Sequence, residues 1–258
     1  MSTYSMKVAY NGAPFCGFAK QPGQLTVQGE LEHALGLLFR REVSTVCAGR
    51  TDSGVHARGQ VVSFDVDDDE LRGRTERTLL RSLNALTHDD VSVTDLRRRP
   101  DGFSARFDAT ARRYRYFISN GPTPPLFMRD FSWHVSKPLD VDAMREGAAH
   151  LIGEHDFKSF CMAASAEGKR TFRCVDEVNI FSESPNGEDM LVVEVVGNAF
   201  LHSMVRAIVG TLVAVGVGNR KPAWVADVLS ACDRKAAGEN APAQGLVLWE
   251  VEYPEGLA

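Results

Sequence analysis

The 258-residue sequence has few cysteines, and no two of them form a Cys-x-x-Cys pair. The five cysteines, an odd number, are scattered at positions 16, 47, 161, 174 and 232. Cysteines paired at short spacing are the usual sign of a structural zinc site or a disulfide framework. We therefore expect neither, and metal-activated water drops out of the mechanisms to be weighed. A reducing, cytoplasmic environment fits this usage.

The sequence also lacks a long apolar run. The longest one begins at Ile208 and ends at Gly218, well short of the roughly 20 residues that span a bilayer. The first seven residues contain no apolar stretch behind a basic start, so we expect no secretory signal. With 44% hydrophobic and 24% charged residues, the composition is that of a globular protein with no membrane partner.

Positive charge is scarce overall and concentrated locally. The formal net charge is −5, which by itself argues against a nucleic-acid-binding protein. Yet eight arginines and only two aspartates lie in residues 97–129, while residues 65–70 hold five acids. Because guanidinium groups bind phosphate in a bidentate fork, the segment 97–129 suits a polyanion. The alternative is that the arginine excess is only compositional and the acidic run is a solvated loop.

Hydrophobic periodicity predicts two α/β halves. The first has strands at 6–10, 43–47, 60–66 and 91–96 and helices at 26–38 and 75–86, in the β-α-β-β-α-β order of a ferredoxin-like unit. The second has strands at 112–118, 131–135, 173–181, 190–196 and 246–251 and helices at 140–152, 199–217 and 222–231. We predict an α+β fold of two ferredoxin/RRM-like halves, residues 1–105 and 106–258, with mixed, mainly antiparallel sheets and a cleft between the halves.

The stretch AGRTDSGVHARGQ, residues 48–60, places several charges between two apolar strands. Asp52, followed by Ser53 and Gly54, is also ordinary turn chemistry, and a lone aspartate there would usually be structural. Arg50, however, lies two residues away, on the same side of an extended chain. A paired carboxylate stays ionised and fixed, as a nucleophile must. We therefore favour Asp52 as a catalytic residue with Arg50 beside it, whereas His56 fits a hydrogen-bonded structural histidine better than a general base.

Two residues of the second half stand out in the same way. Arg206 interrupts an otherwise apolar helix, where an unpaired guanidinium is very costly, so it must reach either an acid or a cleft. Tyr114 stands among Arg112, Arg113 and Arg115. Aromatic rings stack on unpaired bases while cations bind phosphates, so this pattern suits single-stranded RNA. A strand that alternates core aromatics with solvated arginines is the simpler alternative.

These blocks together resemble the tRNA pseudouridine synthase A family over nearly the whole chain. The matching strings are YNGAPFCGF, TVQGELE, AGRTDSGVHARGQ, ARFDATARRYRYFI, LIGEHDFKSF, FLHSMVRAIVGTL and APAQGLVLWEVEY. GRTDSGVHA is highly specific, and the other blocks follow in the family's order. Two departures are Phe18-Ala19, where the family commonly has Trp-Gln, and Ser104, where many members have His.

The resemblance implies a pseudouridine synthase fold and the isomerisation of uridine to pseudouridine in the anticodon arm of tRNA, at positions 38, 39 and 40. It implies catalysis by Asp52, with Arg50, Tyr114 and Arg206 in the active site and with no metal or cofactor. It also implies a homodimer that binds each tRNA across both subunits. The residues expected to contact the RNA are Tyr114, Arg58, Arg106, Arg112 and Arg113.

Two other functions remain open from the residues alone. A non-catalytic RNA-binding module would need the basic and aromatic residues but not Asp52 within its motif. A carboxylate glycosidase usually needs a second acid flanking the bond that breaks, and no second carboxylate accompanies Asp52 in its motif. For a pseudouridine synthase, the sequence leaves open whether Asp52 attacks the sugar or removes a sugar proton.

Overall fold

The computed structural model describes residues 2–162, 167–168 and 170–257, and the chain divides into two compact units. Unit 1 comprises Met1–Arg112 and Leu248–Ala258, and unit 2 comprises Arg113–Val247. Of the helices within the described residues, none has the length and apolar content needed to cross a bilayer.

The end of the chain returns to unit 1, whereas the sequence assigned it to the second half beyond a boundary near residue 105. The reason lies in hydrogen bonds that local patterns do not show. The Thr110 N–H donates to the Glu252 carbonyl at 2.9 Å, and the Tyr253 hydroxyl donates to the Ala105 carbonyl at 2.7 Å. The segments 106–112 and 248–257 therefore belong with the first strands of the chain.

Unit 1 has the predicted β-α-β-β-α-β order with one extra short helix. Its elements are β1 (Ser2–Tyr10), α1 (Val27–Phe39), β2 (Thr45–Cys47), β3 (His56–Val66), α2 (Asp68–Leu71), α3 (Glu76–Leu86), β4 (Val91–Arg98) and most of β10 (Leu246–Glu252). The strand order is β4-β1-β3-β10, and β2 also pairs with β3. Strand β1 pairs with β3 and with β4, and β2 pairs with β3, all in antiparallel fashion. The prediction of a mainly antiparallel, ferredoxin-like arrangement is confirmed.

Two capped helices form the core side of unit 1. The Thr26 side chain accepts a hydrogen bond from the Gly29 N–H at the start of α1, and α1 then buries Leu31 and Leu35. Helix α3 begins in the same way at Thr75. A threonine at this position satisfies a backbone donor that the helix leaves unpaired. Full burial of each such leucine contributes about 1.5–3 kcal/mol, so the two helices pack together.

The acidic run at 65–70 is partly helical, which corrects the alternative of a solvated loop. Helix α2 begins after Asp67, whose N–H donates to the Glu70 carboxylate at 2.8 Å. Acidic side chains are favoured in the first turn of a helix because they face its positive end. Arg41 donates two hydrogen bonds to Glu70, and these bonds, together with the Asp67 N–H, lower the pKa of Glu70 to about 2.

The described residues of unit 2 combine a second set of strands with three α-helices. Its elements are β5 (Ala111–Asn120), β6 (Trp133–Val135), α4 (Val141–Ala149), β7 (Gly153–Asp156), β8 (Phe172–Glu183), β9 (Met190–Gly197), α5 (Met204–Gly216) and α6 (Trp224–Ala231). The strand order is β5-β9-β8-β7, and β6 pairs with β5 in parallel. The predicted hairpin is β8 and β9, which pair in antiparallel fashion. The α+β class is therefore confirmed, and the cleft between the halves stays a prediction.

Candidate active site

The loop that carries Asp52, residues 48–55, connects β2 and β3 and is fixed at both ends. At its start the Ala48 N–H donates to the Val61 carbonyl at 2.9 Å. The side-chain amide of the fully buried Gln60 donates to the Gly49 carbonyl at 2.6 Å. At its end the Val55 N–H donates back to the Asp52 carbonyl at 3.1 Å. Hydrogen bonds therefore hold the Asp52 loop in a defined conformation between two paired strands.

A second segment, residues 12–18, packs against the Asp52 loop backbone to backbone. The Phe18 N–H donates to the Thr51 carbonyl at 3.1 Å, and the Ser53 hydroxyl donates to the Phe15 carbonyl at 3.1 Å. A side chain at Gly12 would collide with the backbone of Val55. The motif YNGAPFCGF, quoted above only for its family resemblance, therefore supports the loop that bears Asp52.

The charged residues of the motif differ in their surroundings. Asp52 is half-buried, whereas Arg50 and Arg58 are exposed. His56 is 2% exposed, and its Nδ1 accepts a hydrogen bond from the Gly12 N–H at 3.0 Å. A ring nitrogen that accepts a hydrogen bond carries no proton, so the neutral ring has its proton on Nε2. The contact agrees with the structural interpretation of His56.

Tyr114 lies on β5 in unit 2 with its ring inside the protein. It is 6% exposed, and its ring meets that of Phe200 edge-on at 5.1 Å between centroids. Tyr116, two residues along the strand and therefore on the same face, is fully buried. The neighbouring Arg113 does not point into solvent unpaired, because it forms a salt bridge with Glu194 at 2.8 Å. Core aromatics alternate here with ion-paired arginines.

Arg206 lies in the first turn of α5, which begins at Met204 and not at residue 199, because Ser203 adopts a left-handed backbone conformation with φ 59°. The Arg206 Nε donates to the Ala241 carbonyl at 2.8 Å, and the Ala241 N–H donates to the Arg206 carbonyl at 3.0 Å. This double contact fixes where the half-buried guanidinium sits.

Tyr116 stabilises the same stretch of chain from the other side. Its hydroxyl donates to the Pro242 carbonyl at 2.8 Å. Burial raises the pKa of Tyr116 above its ordinary value, and the positive charge of Arg206 opposes that rise. The hydroxyl therefore remains a donor at physiological pH, close to the Arg206 charge. Tyr116 and Arg206 thus both contact residues 241–242 of unit 2, and Tyr114 lies two residues before Tyr116 on β5.

The predicted RNA-contact residues fall into two groups. Arg112 is only 8% exposed and donates to the carbonyls of Ala48, Ala109 and Arg106. Arg112 and the ion-paired Arg113 thus have structural contacts within the protein. Arg58 and Arg106 are exposed, each with its guanidinium over an aromatic ring. The exposed pair is the better placed for a polyanion.

Several positive charges lie close together near the start of the Asp52 loop. Burial raises the pKa of Cys47 to about 11, and the charges of Arg50, Arg106 and Arg112 oppose that rise. Across residues 2–162, 167–168 and 170–257, no three His, Cys, Asp or Glu side chains come together as a metal site requires. Unit 1 therefore carries Asp52 and Arg50 on one loop whose start lies near several arginines, and unit 2 carries Tyr114 on β5 and Arg206 on α5.

Sequence reasoning missed three supporting residues. Gly12 and Gly17 lie in a block quoted only for its resemblance, and Tyr116 lies two residues beyond Tyr114. A backbone conformation with φ 95° at Gly17, where a side chain would come within 3.0 Å of the Thr51 carbonyl oxygen, explains that glycine. The available signal was their position inside the motif blocks.

Replacement of Tyr116 by phenylalanine is expected to lower the free energy of unfolding by about 1–2 kcal/mol, because the Pro242 carbonyl loses its buried donor. We expect kcat to fall by up to about tenfold, since the chain that holds Arg206 loosens. Thermal unfolding and single-turnover kinetics measure the two effects. The matched control is Tyr253→Phe, which removes a similar hydroxyl-to-carbonyl bond in unit 1 and should change stability but not kcat. Equal kcat losses in both variants would contradict the expectation.

Comparison with known proteins places this arrangement in a class. A family model described as tRNA pseudouridine synthase matches residues 148–254, which include β9, α5 and the Ala241–Pro242 contact of Arg206. Proteins named tRNA pseudouridine synthase A match across the chain. The one from Brevibacillus brevis is 44% identical over 251 residues, covering 95% of this chain and 97% of its own. The Bacillus subtilis protein is 44% identical over 248 residues, with the same coverage.

A third relative, from Methylococcus capsulatus, is 43% identical over 257 residues and covers 98% of this chain and 91% of its own length. The class is thus that of the tRNA pseudouridine synthases, and similarity at this level runs through both units. The chain belongs to the tRNA pseudouridine synthase A family.

Proposed function

We propose that this protein converts uridines of the anticodon arm of tRNA to pseudouridine, at positions 38, 39 and 40, with Asp52 as the residue that acts on the sugar. Family membership makes the chain an isomerase acting on uridine in tRNA. The observation that carries the proposal is 44% identity over 95% of the chain, which includes the loop in which Asp52 is held. The choice of the anticodon arm, the modified positions within it and the roles of the individual residues are what we propose.

The reaction explains the kind of groups that the site needs. The N1 glycosidic bond breaks, the uracil turns, C5 bonds to the sugar, and the proton lost from C5 is balanced by one gained at N1, with no net oxidation. A stacked base cannot turn, so the nucleotide must leave the helix and enter a pocket. An ionised Asp52 either bonds to the sugar or removes a sugar proton. Both routes need a fixed carboxylate, and hydrogen bonds on both sides of Asp52 fix the loop.

The other candidate residues have complementary roles. Arg50, on the same loop as Asp52, and Arg206, in the first turn of α5, are the two arginines that the family resemblance assigns to the active site. Tyr114 stacks on the detached uracil and is the candidate base for the C5 proton. We assign contact with RNA phosphates to the exposed Arg50, Arg58 and Arg106. The chain is acidic overall, but only the surface that meets the RNA has to be basic.

The experiment uses purified protein and an unmodified tRNA transcript in buffer with no added cofactor. Carbodiimide labelling followed by reverse transcription should show stops in the anticodon arm at positions 38, 39 or 40. A transcript with cytidine at these positions should show none. Pseudouridine at another arm only would contradict the assignment of the arm, and no pseudouridine at all would contradict the activity. Raising salt should weaken tRNA binding steeply, because phosphate contacts release counterions.

We also propose that the protein acts as a homodimer in the cytoplasm, where tRNA is available to it. The support is family resemblance together with cysteine usage, since all five cysteines are free thiols as expected in a reducing compartment. Light scattering coupled to gel filtration should give twice the mass of the 28.3 kDa chain. A monomer mass at working concentration would contradict the dimer without affecting the assignment of Asp52.

A further inference from the structure

Phe107 is 79% exposed, yet it sits on a turn that is held in place. In this Phe107 turn, residues 104–108, the Ser104 N–H donates to the Asp108 carboxylate at 2.7 Å. The Phe107 N–H donates to the Ser104 hydroxyl at 3.3 Å, and the Asp108 N–H donates to the Ser104 carbonyl at 3.1 Å. These bonds present a large aromatic ring to solvent on a fixed support.

A cation accompanies this ring. The guanidinium carbon of Arg106 lies 5.3 Å from the Phe107 ring centroid. The same combination recurs in unit 1, where the Arg58 guanidinium lies 4.5 Å above the Trp249 ring. Rings beside cations are the chemistry that binds unpaired nucleotides, because the ring stacks on a base while the cation attracts the phosphate. An apolar protein surface would gain nothing from guanidinium groups beside these rings.

Arg112 connects the Phe107 turn to the Asp52 loop. A single nitrogen of its guanidinium, Nη2, donates both to the Arg106 carbonyl at 2.6 Å and to the Ala48 carbonyl at 3.0 Å. Ala48 precedes Asp52 by four residues, a span of at most about 14 Å of extended chain. The Phe107 turn therefore lies within reach of nucleotides that flank one acted on at Asp52.

Electrostatics agrees with this proximity. The charges of Arg50 and Arg106 both act on the Cys47 thiol, at the end of β2. Arg50 belongs to the Asp52 loop and Arg106 to the Phe107 turn, so both segments lie near the half-buried Cys47 thiol. The two segments present their cations to one neighbourhood.

We propose that Phe107, with Arg106 beside it, is a stacking platform for an unpaired base next to the target uridine in the RNA substrate. When the target leaves its stack, the neighbouring base loses a stacking partner, and the Phe107 ring replaces it. Arg106 binds the adjoining phosphate, and Arg112 is a positioning residue that fixes the turn relative to the Asp52 loop. The inference rests on the proposed function, since it takes the uridine at Asp52 as its reference point.

The test uses an anticodon stem–loop RNA with 2-aminopurine in place of either nucleotide that flanks the target. When the RNA binds to the wild-type protein, stacking of the 2-aminopurine base on Phe107 should quench the fluorescence of 2-aminopurine. The quench should be lost in Phe107→Ala and Phe107→Leu and kept in Phe107→Tyr. The dissociation constant for tRNA should rise about 5- to 150-fold in the alanine variant, the range that corresponds to loss of one stacked base.

Phe127→Ala is the matched control. Phe127 is 68% exposed in unit 2, on a stretch whose N–H groups donate to Glu188, so its loss removes a comparable ring elsewhere. Tight binding by Phe107→Ala, full rescue by leucine, or an equal loss in Phe127→Ala would each overturn the platform. A fall in dimer mass in Phe107→Ala without loss of the 2-aminopurine quench would assign the ring to a second copy of the chain.

The proposed function and the platform fail separately. If the wild-type protein binds the stem–loop but forms no pseudouridine, the proposed function is wrong, and the quench comparison still decides the platform. If the wild type forms pseudouridine and all Phe107 variants bind and quench as it does, only the platform is wrong.

Discussion

Replacement of Asp52 by asparagine is expected to lower the rate of pseudouridine formation by about 10⁴-fold or more, which is the scale of losing a group that reacts with the substrate. The dissociation constant for tRNA should stay within about threefold. Asparagine has nearly the same shape and keeps the turn chemistry of the loop, but it has no anionic oxygen. Only a role for the carboxylate in the reaction separates binding from conversion in this way.

Asparagine leaves the backbone hydrogen bonds of the loop in place. Described bonds of the loop run through backbone groups of residues 48, 49, 51, 52 and 55 and through the side chains of Thr51 and Ser53. The measurement is single-turnover conversion of radiolabelled tRNA beside filter binding of the same RNA. Asp101→Asn is the control: Asp101 is an exposed aspartate in another turn of unit 1, and its replacement should leave both quantities unchanged. Conversion by Asp52→Asn within tenfold of wild type would remove Asp52 from its proposed role.

Sequence patterns predicted a helix correctly where the capping residue and the apolar face that follows it lie close together in the chain. Thr26 and Thr75 begin α1 and α3 as expected, because a threonine followed by a periodic apolar face contains all the information that the helix start needs. Helix α5 begins five residues later than expected. The left-handed conformation of Ser203 interrupts the apolar run, and nothing in the residue type announces it.

Charge pairing could not be predicted from the sequence, and this changes the interpretation of the arginine-rich segment. Glu194 bonds to both Arg113 and Arg115 at 2.8 Å, from a strand about eighty residues away in the chain. The Arg112 guanidinium donates hydrogen bonds to backbone carbonyls within the protein. The segment that counts as strongly basic along the chain therefore offers fewer exposed cations than its composition indicates. Long-range pairing in a sheet depends on register, which a single strand does not reveal.

Charged and aromatic residues of the candidate site could be predicted from the sequence, because their residue types suggest chemistry. Residues that matter because another segment packs closely against them could not. Asp52, Tyr114 and Arg206 stood out because charge or an aromatic ring was unexpected in its surroundings. Gly12 carries no chemistry of its own, and its importance comes from the atom that faces it. The Val55 carbonyl occupies the space that any side chain at residue 12 would need, and only the folded chain shows that contact.

Replacement of Gly12 by alanine is therefore expected to lower the free energy of unfolding by about 3 kcal/mol, at the upper end of what overpacking costs. The melting temperature should fall by roughly 6–12 °C. The new methyl group forces residues 12–18 away from the Asp52 loop, and the Gly12 N–H to His56 bond lengthens with it. A displacement of about 1 Å at a reacting group costs on the order of 100-fold in rate. Pseudouridine formation should thus fall about 100-fold at a temperature where the variant is still folded.

The control for this substitution is Gly121→Ala, because a side chain there meets nothing within 4 Å and its backbone is not in the left-handed region. That variant should be neutral or more stable by up to about 1 kcal/mol, since alanine restricts the unfolded chain, and it should keep full activity. Circular dichroism melting and single-turnover assays on both variants measure the difference. The rate loss in Gly12→Ala must exceed what its unfolded fraction explains if Gly12 sets the position of the carboxylate. A variant that melts early yet converts tRNA normally while folded would show that the contact supports the fold alone.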